Sequence, residues 1–123
     1  MRKGKVVIVG ALLLGGCYSP QSTMDAAPVV ERFSGRQEVI AACVYLDLEK
    51  TQPEDLHMVD LKGANMTRIY QQRGNEFMMI RPFDLILVQE TPDTVRAEAR
   101  SFASNDYQAH NILLPAVRQC ARS

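Results

Sequence analysis

From Thr94 to Phe102 the chain alternates: Val95, Ala97 and Ala99 fall on one side, Thr94, Arg96, Glu98 and Arg100 on the other. Successive side chains of a strand point to opposite faces. The stretch therefore predicts an antiparallel strand with one buried face and one wet face. Just upstream, Leu85 to Val88 reads LILV, the strongest apolar run in the body of the chain. It predicts a central strand. Thr91-Pro92-Asp93 separates the two runs with turn-forming residues.

Further strand signals lie before them. In Met66–Arg73, Arg68, Tyr70 and Gln72 alternate against Ile69. Arg73-Gly74-Asn75-Glu76 reads as a turn, and 77–81 resumes extended character. Met58–Leu61 adds a short strand or an irregular lead-in. Two helices flank this centre. Arg36–Lys50 places Val39, Ile40, Cys43, Val44 and Leu46 on one broad face, with Ser34 as expected N-cap and Gln37 three residues later. Pro53 follows its end. In 107–122, Ile112, Leu113, Ala116, Val117 and Cys120 recur at three- and four-residue steps. Pro115 is tolerated there if the regular helix begins near Ile112 to Leu114. The expected fold is α+β: a two-layer sandwich in which an antiparallel meander of three to four strands carries an N-terminal and a C-terminal helix on one face, in the order α-β-β-β-α.

The N-terminus has a different character. Arg2, Lys3 and Lys5 precede an apolar run from Val6 to Leu14, broken only by Gly10, and Gly15, Gly16 and Cys17 follow. A positive start, a short apolar stretch and small residues describe a secretory signal. The run is too short to cross about 30 Å of hydrocarbon. Leu14-Gly15-Gly16-Cys17 resembles the lipobox of bacterial lipoprotein precursors. The resemblance covers residues 1–17. It implies a diacylglyceryl thioether on Cys17, cleavage between Gly16 and Cys17, and acylation of the new α-amino group. One acyl chain binds a bilayer only marginally, whereas two or three hold permanently. Tyr18 rather than Asp follows the cysteine, which by the same resemblance favours the periplasmic face of the outer membrane over that of the inner membrane.

The expected division is thus a signal peptide over 1–16, a lipidated Cys17 with a flexible tether over 17–33, and a small globular domain over 34–123. The segment 18–28, small, polar and proline-containing, sets the character of the tether. Once Cys17 is assigned to lipid, Cys43 and Cys120 remain as an even pair in an oxidising compartment. They are expected to form a disulfide, the alternative being two unrelated buried thiols. Closing the chain between residues 43 and 120 contributes about 4–5 kcal/mol by chain entropy. Two cysteines without a nearby histidine pair do not suggest a zinc site.

Fourteen basic residues balance fourteen acidic ones, so a nucleic-acid partner is not expected. No phosphate loop, G-x-G-x-x-G, H-E-x-x-H or G-x-S-x-G occurs. His57 stands in an acidic stretch and His110 near the start of the last helix. Both read as surface residues before they read as metal ligand or general base. Ser101 and Ser104 lack a base at motif spacing. The cofactor expectation is none beyond the covalent lipid, and no metal. Arg68, Tyr70, Arg96, Glu98 and Arg100 form the candidate binding surface, on the wet face of the sheet. The leading expectation is a non-enzymatic binding or scaffolding lipoprotein with a membrane anchor and an envelope protein partner. An inhibitor or immunity-type lipoprotein against an envelope-attacking enzyme is the alternative, and a small hydrolase the third.

Overall fold

The computed structural model describes residues 27–74, 79–101 and 106–122. Cys17 and the whole lipobox lie outside the described residues, as do Asn75–Met78, Phe102 and Ser104. Five strands, β1 (Val29–Ser34), β2 (Leu56–Leu61), β3 (Met66–Gly74), β4 (Met79–Thr91) and β5 (Thr94–Ser101), accompany two helices, α1 (Gln37–Thr51) and α2 (Leu114–Arg122). The sheet is antiparallel throughout, in the order β1-β5-β4-β3-β2. The fold is α+β, with five strands where three to four were expected.

The added strand is β1. Residues 29–33, included within the bounds of the expected tether, pair with β5 from Val29↔Ala99 to Ser34↔Thr94. No alternation marks this strand in the sequence because an edge strand carries charge on both faces: Glu31 lies on the same face as Val29 and Phe33, Arg32 on the opposite one. The order is consequently β-α-β-β-β-β-α, and α1 carries the chain from one edge of the sheet to the other.

Strand parity builds the core. Thr67, Ile69 and Gln71 of β3, Phe83, Leu85 and Leu87 of β4, and Val95, Ala97 and Ala99 of β5 are buried on one face. The apolar members form one cluster with Ile40, Ala41, Val44 and Leu48 of α1 and Leu114, Ala116, Val117 and Cys120 of α2. Fully burying a Leu, Ile, Val or Phe side chain contributes about 1.5–3 kcal/mol, so this cluster is the main support of the fold. The alanines of β5 let a helix approach closely, because they add little bulk above the backbone. Cys43 and Cys120 are bonded, with Cα atoms 5.8 Å apart, and join α1 to α2.

Local details depart from the expected ones. The buried line of α1 runs through Ile40, Ala41, Val44 and Leu48, while Val39 and Leu46 are 63% and 59% exposed. At about 100° per residue, those two point away from that line. Ser34 does not cap α1; it is the last residue of β1. The first helical N–H, that of Gln37, donates instead to Gln89 Oε1 of β4 at 2.6 Å. The Gln89 amide in turn donates to the carbonyls of Gly35 and Thr91. Gly35 turns the chain from strand to helix with φ +135°, and a Cβ there would stand 3.2 Å from Ile40 Cδ1. Near the C-terminus, a π turn over Ala109–Leu113 precedes α2. The Leu114 N–H reaches back to the Ala109 carbonyl. The wide turn accommodates Pro115, whose ring would collide with the carbonyl four residues back in a regular helix.

Candidate functional site

The other face of the sheet is read directly from the register. His57, Tyr70, Asp84 and Arg100 form one row across β2, β3, β4 and β5. Val59, Arg68, Ile86, Glu98 and Val30 form the next. Leu61, Met66, Val88, Arg96 and Arg32 form the third. Neighbouring strands are about 4.8 Å apart, so members of a row touch. All five residues of the candidate surface, Arg68, Tyr70, Arg96, Glu98 and Arg100, stand on this face. Between them run Asp84, Ile86 and Val88 of β4, which sequence reasoning did not assign to it.

Asp84 is the centre. It is only 1% exposed, although it belongs to the sheet face opposite that of Phe83 and Leu85. Arg81 Nη1 lies 2.9 Å from Asp84 Oδ2, and Arg68 Nε lies 3.4 Å from Oδ1. Burial raises the Asp84 pKa above the ordinary carboxylate value, against the opposing pull of Arg68, Arg81 and Arg100. Asp84 Oδ1 has no hydrogen-bond partner among the described residues, since the Arg68 approach is an ion-pair distance without hydrogen-bond alignment.

Arg81 arrives by a β-bulge. Gln71 pairs with Phe83 and Arg73 with Ile80, so Arg81 and Pro82 together oppose Gln72. A proline has no N–H for the ladder and sits in a central strand only at such a break. The extra residue puts Arg81 on the same face as Asp84. There its guanidinium also donates to Gln72 Oε1 at 2.8 Å and lies 4.0 Å from the centre of the Tyr70 ring. His57 stacks on Tyr70 with ring centres 5.0 Å apart. Tyr70 is therefore flanked by an imidazole and a guanidinium.

A second break in register, between Gln89 and Thr91, leaves Glu90 unpaired in the ladder. Its carboxylate accepts from Arg32 Nε at 2.8 Å and from Arg96 Nη1. Those hydrogen bonds hold the Glu90 carboxyl down at about 2. Arg96 Nε also reaches Glu98 at 2.7 Å, and Arg100 stands 3.7 Å from the same carboxylate. Each such pair is worth little alone. Together they fix a net of five arginines, Arg32, Arg68, Arg81, Arg96 and Arg100, against three carboxylates, Asp84, Glu90 and Glu98. The face carries positive charge in planar, pre-oriented guanidinium groups interleaved with Ile86, Val88 and Met66. Planar guanidinium donors match carboxylates in pairs, and an Arg-rich surface with apolar patches suits protein recognition.

The other candidates have different surroundings. His110 is exposed, 3.9 Å from Asp106. The Ser101 hydroxyl accepts the Ala109 N–H at 2.9 Å and anchors the π turn. Among the described residues, no group of three or more His, Cys, Asp or Glu side chains converges as metal ligands would. A cavity of about 380 Å³ at the start of α1 is lined by Arg36, Glu38, Asp60, Lys62 and Asn65, a solvated mixture of both charges. No described helix is long and apolar enough to cross a membrane.

Compared with protein-family models, curated proteins and solved structures, the chain finds no match, so its site is read from its own geometry.

Proposed function

We propose that this chain is a lipid-anchored envelope lipoprotein and a non-enzymatic binding module. In this reading Cys17 carries the lipid, the outer membrane holds it on the periplasmic side, and the body is a two-layer sandwich with both helices on one face. The opposite face, with Arg68, Tyr70, Arg96, Glu98 and Arg100, meets an envelope protein whose contact surface is acidic and apolar. The observation that supports the binding role is the buried Asp84 beneath Arg68, Arg81 and Arg100. Burying a carboxylate costs several kcal/mol unless neighbours offset it. Here the neighbours are arginines thereby held flat on the exposed side of the sheet. Support for the anchor is the order and spacing of the lipobox residues.

The test takes both halves separately. A photo-crosslinking residue placed at Met66 or Arg96 yields a discrete adduct with one envelope protein in cells, and one placed at Lys50 on α1 does not. Equal labelling from both positions, or none from the sheet face, refutes the binding surface. Cys17→Ser abolishes labelling by radioactive palmitate, and continued labelling refutes the anchor.

A further inference from the structure

The two edges of the sheet are treated differently by the chain. On β1, Arg32 reaches across to Glu90 and Glu31 to Arg118 of α2, so charged side chains guard that edge. On β2 no side chain of the strand itself makes a comparable ion pair among the described residues. None of its six residues is buried, and Met58, Val59 and Leu61 are each about 40% exposed. It holds no proline or lysine, and it pairs with β3 without a shift in register. The Gln72 N–H donates to the Asp55 carbonyl. By antiparallel alternation, His57, Val59 and Leu61 then exchange hydrogen bonds with β3, and the N–H and C=O groups of Leu56, Met58 and Asp60 point outward.

The ground beside those outward groups carries both charges, with carboxylates in excess. Glu38 of α1 borders a groove with Ala42, Met58 and Asp60. Glu49, eleven residues further along the same helix, lies within about 20° of Glu38 around the axis. Glu54 and Asp55 stand at the start of β2. Arg36 and Arg73 pair with Glu38 and Glu54, and Lys62 follows β2, so five carboxylates face three cations. The opposite side of the same edge is apolar, with Val59 and Leu61.

From this we infer that β2 is a docking edge for an extended segment of a partner protein, one whose residues alternate between basic and apolar. The segment adds a sixth strand beside β2, its backbone pairing with Leu56, Met58 and Asp60. Its Lys or Arg side chains project toward Glu38 and Asp60 and its apolar side chains lie beside Val59 and Leu61. Main-chain pairing supplies affinity in such strand addition, and side-chain alternation supplies specificity. A second copy of this chain is a poorer occupant, because a two-fold axis would set the acidic flank of α1 against itself. This edge shares Val59 and Leu61 with the arginine-bearing face, but its outward backbone groups and its carboxylates lie outside that face.

The test titrates the full chain with a capped octapeptide of alternating Lys and Val, its Glu–Val counterpart, and a peptide of the same composition with four Lys followed by four Val. Hydrogen exchange is followed residue by residue. The Lys–Val peptide slows exchange at Leu56, Met58 and Asp60 by about tenfold or more, leaves Val59 unchanged, and outcompetes both controls. Glu38→Lys with Asp60→Lys weakens its binding about tenfold while the urea midpoint confirms an intact fold. Should that variant not fold, Met58→Pro, whose lost N–H is not used by β3, abolishes binding instead. Equal protection by the three peptides overturns the proposal. So does protection confined to other residues, or protection without peptide that grows with protein concentration.

Discussion

Arg81 and Asp84 are three residues apart on one strand, yet their side chains meet at 2.9 Å on the same face of the sheet. A regular strand would send them to opposite faces. The pair exists because Arg81 and Pro82 bulge opposite Gln72. The charged centre of the exposed face thus depends on one inserted residue.

Asp84→Ala leaves Arg68 and Arg81 without their buried counter-charge. Removing one member of a buried pair costs about 3–5 kcal/mol. Arg68 retains access to water, which places the expected loss near the lower figure. Asp84→Asn keeps an acceptor for Arg81 and costs less. Urea denaturation of both variants checks the order, and an Asp84→Ala protein as stable as the parent contradicts it.

The carboxyl of Asp84 titrates above the ordinary aspartate value because burial disfavours its charge. Its folded form therefore binds a proton more readily than its unfolded form. The associated stability is present below about pH 3.9 and is lost as pH rises through the raised folded value. Carboxyl carbon shifts in NMR, read against Asp84→Asn, show the titration directly. A midpoint at or below that of an exposed aspartate would count against the buried site.

Glu90 behaves in the opposite sense. Its carboxyl, held by Arg32 and Arg96, titrates at about 2 against an ordinary 4.5. Its contribution is present above pH 4.5 and fades as pH falls through 2. In Glu90→Gln the stability curve between those values is flatter than in the parent. An unchanged acid limb excludes the Arg32–Glu90–Arg96 bridge.

Reduction of the Cys43–Cys120 bond frees a loop of 77 residues in the unfolded chain. The chain-entropy cost is about 4–5 kcal/mol, less any strain released. Melting with and without reductant, and Cys43→Ser with Cys120→Ser, should give the same large fall in midpoint. Identical midpoints would show that the bond does not constrain the unfolded state.

Gln89→Ala removes the acceptor for the Gln37 N–H and the donor for the Gly35 and Thr91 carbonyls. Loss of a helix cap with a part-buried amide left unmet costs about 2 kcal/mol. Denaturant midpoints report it, and hydrogen exchange at the first turn of α1 locates it. A change spread evenly over the sheet would argue against a capping role.

Much of this arrangement is legible in the residues themselves. Alternation at Val95, Ala97 and Ala99 foretells three fully buried side chains, and LILV does lie in the middle strand. The pairing of Cys43 with Cys120 follows from elimination once Cys17 is set aside. What escapes is whatever depends on distant partners. The strand at Val29–Ser34 has no buried run of its own, because β5 lends it half its shelter. The cap of α1 comes from Gln89, 52 residues away. Arg81 joins Asp84 on the exposed face only through a bulge that no periodicity announces, although Pro82 inside an extended run is its one visible signal.

The sulfur bond has a mechanical consequence. Tension reaching Val29 from the N-terminal side would peel β1 from β5 and then draw out α1 only as far as Cys43. Beyond that point the polypeptide is a closed ring. It cannot unravel end-on and must yield all at once or hold.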